Sequence, residues 1–195
     1  MSDNLLLLIS GLSTSAGKLG NALFFPNTGK FDDNVLRLGS HSNDCFGNVS
    51  LCPNGLTFAL WFKLESQITG WSHPFHGIPY RPYFETYLNS YKPHINLLNA
   101  THLHAFHGIP VLSYGEWHHL GITYDATSGF AVYIDGCVPA DNTILKSTVN
   151  WAIPNDFVLG CEGGTKCTRI HFDDLRFWTA KKSALFIWHL WKMYG

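Results

Sequence analysis

Between Leu56 and Leu64 the chain reads LTFALWFKL, in which Leu56, Phe58, Leu60 and Phe62 alternate with Thr57, Ala59, Trp61 and Lys63. A period of two places the first set on one face of a β-strand, covered by a core. The other face carries Trp61 as well. The pattern continues in HHLGITYD (118–125), GFAVYIDG (129–136) and NDFVLGC (155–161), with ATSG after Asp125 and the pair Asp135-Gly136 supplying turn residues. Only the end, SALFIWHLWKMYG, reads as a helix: Ser183 caps it, and Leu185, Trp188 and either Trp191 or Lys192 share a face. Many strands, turns rich in Gly and Asn and almost no helix predict an all-β fold of two antiparallel sheets, a sandwich or jelly roll with one short C-terminal helix.

The 195 residues, 46% hydrophobic and 14% charged, can bury a substantial core and are expected to form one domain over 1–195. A net charge of −1 provides no basic field for phosphate backbones, so nucleic acid is not an expected partner. The apolar runs LLLLI (5–9) and ALFIW (184–188) fall far short of the roughly 20 residues that cross a bilayer, so no direct membrane insertion is expected. The opening MSDNLLLLISGLSTSA has the apolar centre of a secretory signal but carries Asp3 and no basic residue at its front. It reads as a first strand, of a domain excised from a larger extracellular protein.

Five cysteines accompany two N-glycosylation triplets, at Asn48 and Asn99, which favours an oxidising compartment. Cys45 and Cys52 bracket the polar loop of CFGNVSLC and are expected to pair. Cys137 and Cys161 are a second candidate pair, with Cys161–Cys167 as the rival and buried free thiols as the alternative to both. No close CxxC pair points to zinc.

Histidines are abundant. His102 and His104 stand at the i, i+2 spacing of one strand face, and His73, His76, His107, His118 and His119 add further imidazoles that could take Zn²⁺ or Cu²⁺. The word FHGIP occurs at 75–79 and again at 106–110, but the flanking residues differ, so the two copies read as separate Gly-Pro turns rather than a repeat unit.

In order along the chain, GKLGNALFF (17–25), NGLTFALWFKL (54–64), GEWHHLGITYDATSGFAVYIDG (115–136) and IHFDDLRFWTAKKSALFIWHLWKMYG (170–195) resemble the laminin-G-like jelly-roll domains of the concanavalin A-like lectin/glucanase superfamily, kin to pentraxins. The resemblance covers most of the chain outside roughly residues 66–114. It implies that Trp117 and its apolar strand neighbours fill the space between sheets, that His118 is a hydrogen-bonded structural residue, and that the C-terminal strand and helix close the sandwich beside the N-terminal strand. It also implies a calcium ion held by Asp173 and Asp174, with Asp32, Asp33 or Asn34 completing an oxygen shell. The sequence departs from the family where a DG pair after the first core strand gives way to PNTGKFDDN.

Recognition is expected in the segment WSHPFHGIPYRPYFETYLNSY (71–91), where Trp71, His76, Tyr80, Arg81 and Tyr83 combine rings that stack on sugars or anchor protein partners with a planar cation. The alternative places many of these rings in the core. No ExDxxE carboxylate spacing and no GxSxG elbow occurs, so the chain reads as a non-enzyme. The expected function is binding of a glycan or protein ligand outside the cell. A spacer stiffened by calcium is the alternative, and a glycan hydrolase on the same fold is a further one.

Overall fold

The computed structural model describes residues 13–26, 35–39, 41, 43–46, 49–65, 71–78, 84–89, 92–98, 102–107, 112–138, 141–146, 156–160 and 169–194. Among the described residues, thirteen strands form two antiparallel sheets. The six-stranded sheet runs β1 (Ser13–Ala16), β2 (Asn21–Phe25), β13 (Ile170–Trp178), β4 (Leu56–Leu64), β9 (Trp117–Asp125), β10 (Gly129–Ile134). The seven-stranded sheet runs β11 (Asp141–Lys146), β8 (His102–His107), β7 (Lys92–Leu98), β6 (Phe84–Asn89), β5 (Trp71–Ile78), β12 (Asp156–Gly160), β3 (Val35–Gly39). The α-helix α1 (Ala184–Tyr194) follows β13.

The alternation of β4 decides the layers. Leu56, Phe58, Leu60, Phe62 and Leu64 enter one buried cluster with Leu120, Ile122 and Tyr124 of β9, Val132 of β10 and Phe172 of β13. Ile95 of β7 and Leu159 of β12 meet them from the opposite sheet, so the cluster fills the sandwich. The C-terminal strand pairs with β2 through Ile170↔Phe25 and His171↔Phe24 and with β4 on its other side, which places it beside the N-terminal strand as expected.

The outer face of the six-stranded sheet is covered in part by α1. Ser183 Oγ accepts from the Phe186 N–H at 3.2 Å and caps the helix. The buried helix residues are Ile187 and Leu190, which pack on Ala59 and Tyr133. The face expected from spacing is therefore the outer one, with Leu185 62% and Trp188 38% exposed. Small residues of the sheet select the phase: at Gly121 a Cβ would lie 2.7 Å from Ile187 Cγ2, so only a side chain-free position admits Ile187. Burying that side chain contributes on the order of 1.5–3 kcal/mol.

Two turns position the functional elements. At Asp135-Gly136 both residues have positive φ, 50° and 75°, and Ile134 and Cys137 exchange two backbone hydrogen bonds of 2.9 Å. This is the geometry of a type I′ hairpin turn, which glycine and aspartate tolerate. After β9, the Asp125 carboxylate accepts from the Thr127 and Ser128 N–H groups, both at 2.7 Å, and from Lys181 Nζ at 2.5 Å.

Trp117 differs from the expectation that it fills the core. In the ladder it stands opposite Lys63, on the outer face, while its neighbour His118 stands opposite Phe62 and turns inward. Lys63 Nζ lies 5.4 Å from the Trp117 ring centroid. His118 is hydrogen-bonded as expected, through Nδ1 to Asp135 Oδ2 at 2.8 Å and through Nε2 to the Ser113 carbonyl at 3.1 Å.

Candidate recognition site

Trp71 and His76 both lie on β5, an interior strand of the seven-stranded sheet, with Trp71 opposite Asn89 and His76 between Glu85 and Val158. Tyr80, Arg81 and Tyr83 fall outside the described residues, as do Asn48, Asn99, Cys161, Cys167, Asp32, Asp33 and Asn34. Of the two FHGIP words, residues 75–78 and 106–107 are described. Phe75 and Phe106 stand in one row of the sheet, Phe75–Thr86–Ile95–Phe106, with β6 and β7 between them, and β5 and β8 continue from that row in opposite directions. His102 and His104 occupy alternate positions of β8, opposite Lys146 and Ile144.

Cys45 and Cys52 form a disulfide with Cα atoms 4.9 Å apart. Cys137, paired with Cys161 in the sequence reading, is a free, exposed thiol. It closes the tight turn after β10, where its backbone is bonded back to Ile134.

Asp173 and Asp174, the carboxylates expected to hold calcium, are engaged in hydrogen bonds, and Asp32, Asp33 and Asn34 lie outside the described residues. Asp173 Oδ2 accepts the Leu19 N–H at 2.7 Å and Oδ1 accepts the Asp174 N–H at 2.8 Å. Asp174 Oδ1 accepts from Arg176 Nε at 2.7 Å. Gly17 makes room for the Asp173 carboxylate, since a Cβ there would lie 2.5 Å from Oδ2. Among the described residues no three His, Cys, Asp or Glu side chains converge on a common centre. Asp173 thereby joins the 17–20 turn to β13.

A cavity of about 480 Å³ opens beside the disulfide, at the end of the sandwich. Leu38 of β3, the turn carrying Asp44, Cys45 and Phe46, Phe58 of β4, and Leu175, Phe177 and Thr179 line it together with His41. Asp44 shapes the turn: its Oδ1 accepts the Phe46 N–H at 2.9 Å and its Oδ2 meets His41 Nδ1 at 2.7 Å. The disulfide ties this turn to the residues preceding β4. The Phe46 ring packs edge-on against both His41 and Phe177, each with centroids 4.8 Å apart. β13 has a register shift between Asp173 and Arg176, next to the cavity-lining Leu175, which is 41% exposed. The result is an apolar, ring-lined recess with a histidine–carboxylate pair among its walls, the combination that holds a small ligand by its apolar face and orients it by a few polar contacts. Cys45 is expected from sequence as a disulfide partner and Phe58 as a core residue, but no residue of the recess is expected there as a ligand contact, because the recess joins β3, a disulfide turn and a bulge that are remote in the chain. The Cys45–Cys52 spacing was the one signal pointing to it.

A second cluster lies on the outer face of the six-stranded sheet. His171 of β13 is 5% exposed and stacks on Phe24, with centroids 4.5 Å apart. Its Nδ1 is 2.7 Å from Ser15 Oγ, and its Nε2 is hydrogen-bonded to Glu65 Oε1. Lys63 Nζ lies 3.6 Å from the same Glu65 oxygen, and Arg169 sits over the Phe24 ring at 5.2 Å. Burial lowers the His171 pKa, and the hydrogen bond that its Nε2–H donates to Glu65 only partly restores it.

Comparison with solved structures shows the same fold at low identity. Domain 4 of AbnA, a GH43 extracellular arabinanase from Geobacillus stearothermophilus seen in complex with arabinotriose, matches with a TM-score of 0.63 and 19% identity, over 92% of this chain and 80% of that one. The binding domain of botulinum neurotoxin DC, in complex with rat synaptotagmin II, matches with a TM-score of 0.69 and 11% identity over 95% of this chain. A structure of botulinum neurotoxin type C, whose cell entry depends on interaction with two ganglioside molecules, matches with a TM-score of 0.67 and 10% identity over 95% of this chain. The chain spans 46% and 45% of the length of these two toxin chains. Comparison with curated protein sequences gives no match. The model of one sequence family matches residues 38–187, and the chain belongs to that family, the laminin G domains of the concanavalin A-like lectin/glucanases superfamily.

Proposed function

We propose that the protein is an extracellular recognition module that holds a glycan in the recess beside the Cys45–Cys52 disulfide without altering it chemically. The observation that carries this reading is the recess itself: Phe46, Phe58 and Phe177 supply apolar and aromatic surface for the C–H face of a sugar ring, and His41, Asp44 and Thr179 supply polar groups for its hydroxyls. The neighbours bound to arabinotriose or dependent on gangliosides support a glycan, and the disulfide supports an oxidising compartment, in which Asn48 and Asn99 would be available for glycosylation. Titration of the isotope-labelled protein with arabinotriose and with a ganglioside head-group oligosaccharide tests it: amide shifts confined to residues 38–46 and 175–179 are expected.

A protein ligand is the second reading. Leu175 at the bulge presents an apolar side chain to solvent at the lip of the recess, which suits an apolar residue of a partner segment, and one fold neighbour is seen with a protein receptor. The same titration separates the two, since a protein-specific recess responds to neither oligosaccharide. The spacer reading, with a stiffening calcium, is tested separately through Asp173, whose oxygens accept the Leu19 and Asp174 N–H groups.

A further inference from the structure

Ser15, His171 and Glu65 come from β1, β13 and the residue after β4, separated by 156 and 106 positions in sequence, yet they form one hydrogen-bonded line. Ser15 Oγ and Glu65 Oε1 sit on opposite ring nitrogens of a single imidazole. Glu65 accepts the Nε2 proton, which fixes the tautomer and leaves the Nδ1 lone pair facing the serine hydroxyl. Either ring nitrogen can act as a base when the other holds the proton. Phe24 stacked on the ring and Trp117 at 6.1 Å hold its orientation. Ser15 is half-buried on a sheet-edge strand and Glu65 is exposed, so the line runs from a serine at the rim, through a buried ring, to a solvated carboxylate.

We propose that Ser15 is an activated nucleophile, with His171 as its general base and Glu65 as the residue that positions the base, and that this second site cleaves small acyl esters of polar alcohols. Ser15 Oγ attacks the ester carbonyl carbon while its proton passes to His171 Nδ1. The carbonyl–oxygen bond to the alcohol breaks, and the imidazolium returns the proton to the leaving alkoxide. Water then attacks the acyl-Ser15 carbonyl, giving its proton to Nδ1. Ser15 Oγ departs and is reprotonated, and the carboxylic acid leaves. The sum is ester plus water to alcohol plus acid. Lys63 and Arg169, the cations bordering the cluster, favour an oxygen-rich or anionic alcohol portion.

The test is reaction of the full chain with a fluorophosphonate probe, followed by mass mapping of the adduct, alongside p-nitrophenyl acetate turnover. The expected result is a single adduct on Ser15, absent from Ser15→Ala. In a folded His171→Gln the rate falls by about 100-fold or more, and in Glu65→Gln the fall is smaller. If His171→Gln does not fold, the wild-type pH profile decides. A base at His171, facing Glu65, Lys63, Arg169, Ser15, Phe24 and Trp117, gives a rate that rises and then levels below the ordinary histidine range. A histidine with only a structural role gives a rate that follows hydroxide throughout. No Ser15 adduct on the folded protein, an unchanged rate in His171→Gln, or the hydroxide-like profile would overturn the proposal.

Discussion

Gly121 of β9 lies directly beneath Ile187 of α1, so closely that a Cβ on the glycine would stand 2.7 Å from Ile187 Cγ2. The helix is therefore seated by an absence of side chain in the sheet. Gly121→Ala is expected to lower stability by about 1–3 kcal/mol, as overpacking does. In a double-mutant cycle with Ile187→Ala the two effects should be less than additive, because alanine removes the Cγ2 that the added Cβ would meet. Denaturant unfolding of the four proteins checks this, and strict additivity would place the strain elsewhere.

Asp135 ties two histidines of opposite character. Burial pulls the His118 imidazole down, but the hydrogen bond and charge of Asp135 outweigh it, and its pKa lies above the ordinary value. His119 is pushed down to about 4 by burial, and its Nδ1 has no hydrogen-bond partner among the described residues. The His118 contribution to stability is complete below about pH 6.5 and is lost as pH rises through its raised folded pKa. The His119 effect has the opposite sign: between about pH 6.5 and 4 the unfolded chain takes up a proton that the folded one refuses, and stability falls by on the order of 3 kcal/mol. Unfolding midpoints across pH 4–9 should thus peak near neutrality. Asp135→Asn should flatten the alkaline limb and His119→Phe the limb between pH 6.5 and 4.

The Cys45–Cys52 disulfide closes a short loop that forms one wall of the recess. Loop entropy gives about 2–3 kcal/mol for a closure of this length. Cys45→Ser with Cys52→Ser should lower stability by about that amount, and dithiothreitol should match it in the wild type while leaving the double variant unaffected.

Asp173 joins the 17–20 turn to β13 through the Leu19 and Asp174 N–H groups. Removing it leaves those donors unpaired, at about 1–3 kcal/mol for a buried donor and less where water reaches. Asp173→Ala should therefore lower the unfolding midpoint equally in EDTA and in excess Ca²⁺. A calcium-dependent rise in the wild type that Asp173→Ala abolishes would show the carboxylate to be a metal ligand.

The sheets were legible wherever one strand face meets a large core. β4, β9 and β10 alternate cleanly, and the Asp135-Gly136 turn has the positive φ its residues allow. The segment holding β5 to β8 was not, because strands such as HLHAFH and KPHINLL mix histidine, proline and apolar residues without a clear phase. The helix face was misjudged because spacing along α1 is compatible with several faces, and Ala59 and Gly121 on a distant sheet choose among them. Trp117 was assigned to the core by resemblance, whereas its register with Lys63 sets it outside. The recess and the Ser15–His171–Glu65 line depend on contacts between remote strands, which no local pattern encodes.

The recess as a glycan site is tested most directly by probing an immobilised glycan array with the wild type and with Leu175→Asp. Leu175 is exposed at the bulge, so its replacement leaves the core packing intact while placing a charge at the lip of the recess. The expected result is selective retention of the wild type on one class of glycan and a loss of at least about tenfold in Leu175→Asp with the unfolding midpoint unchanged, tenfold corresponding to roughly 1.4 kcal/mol. Retention that survives the substitution undiminished, or no retention of the wild type on any glycan, would contradict it.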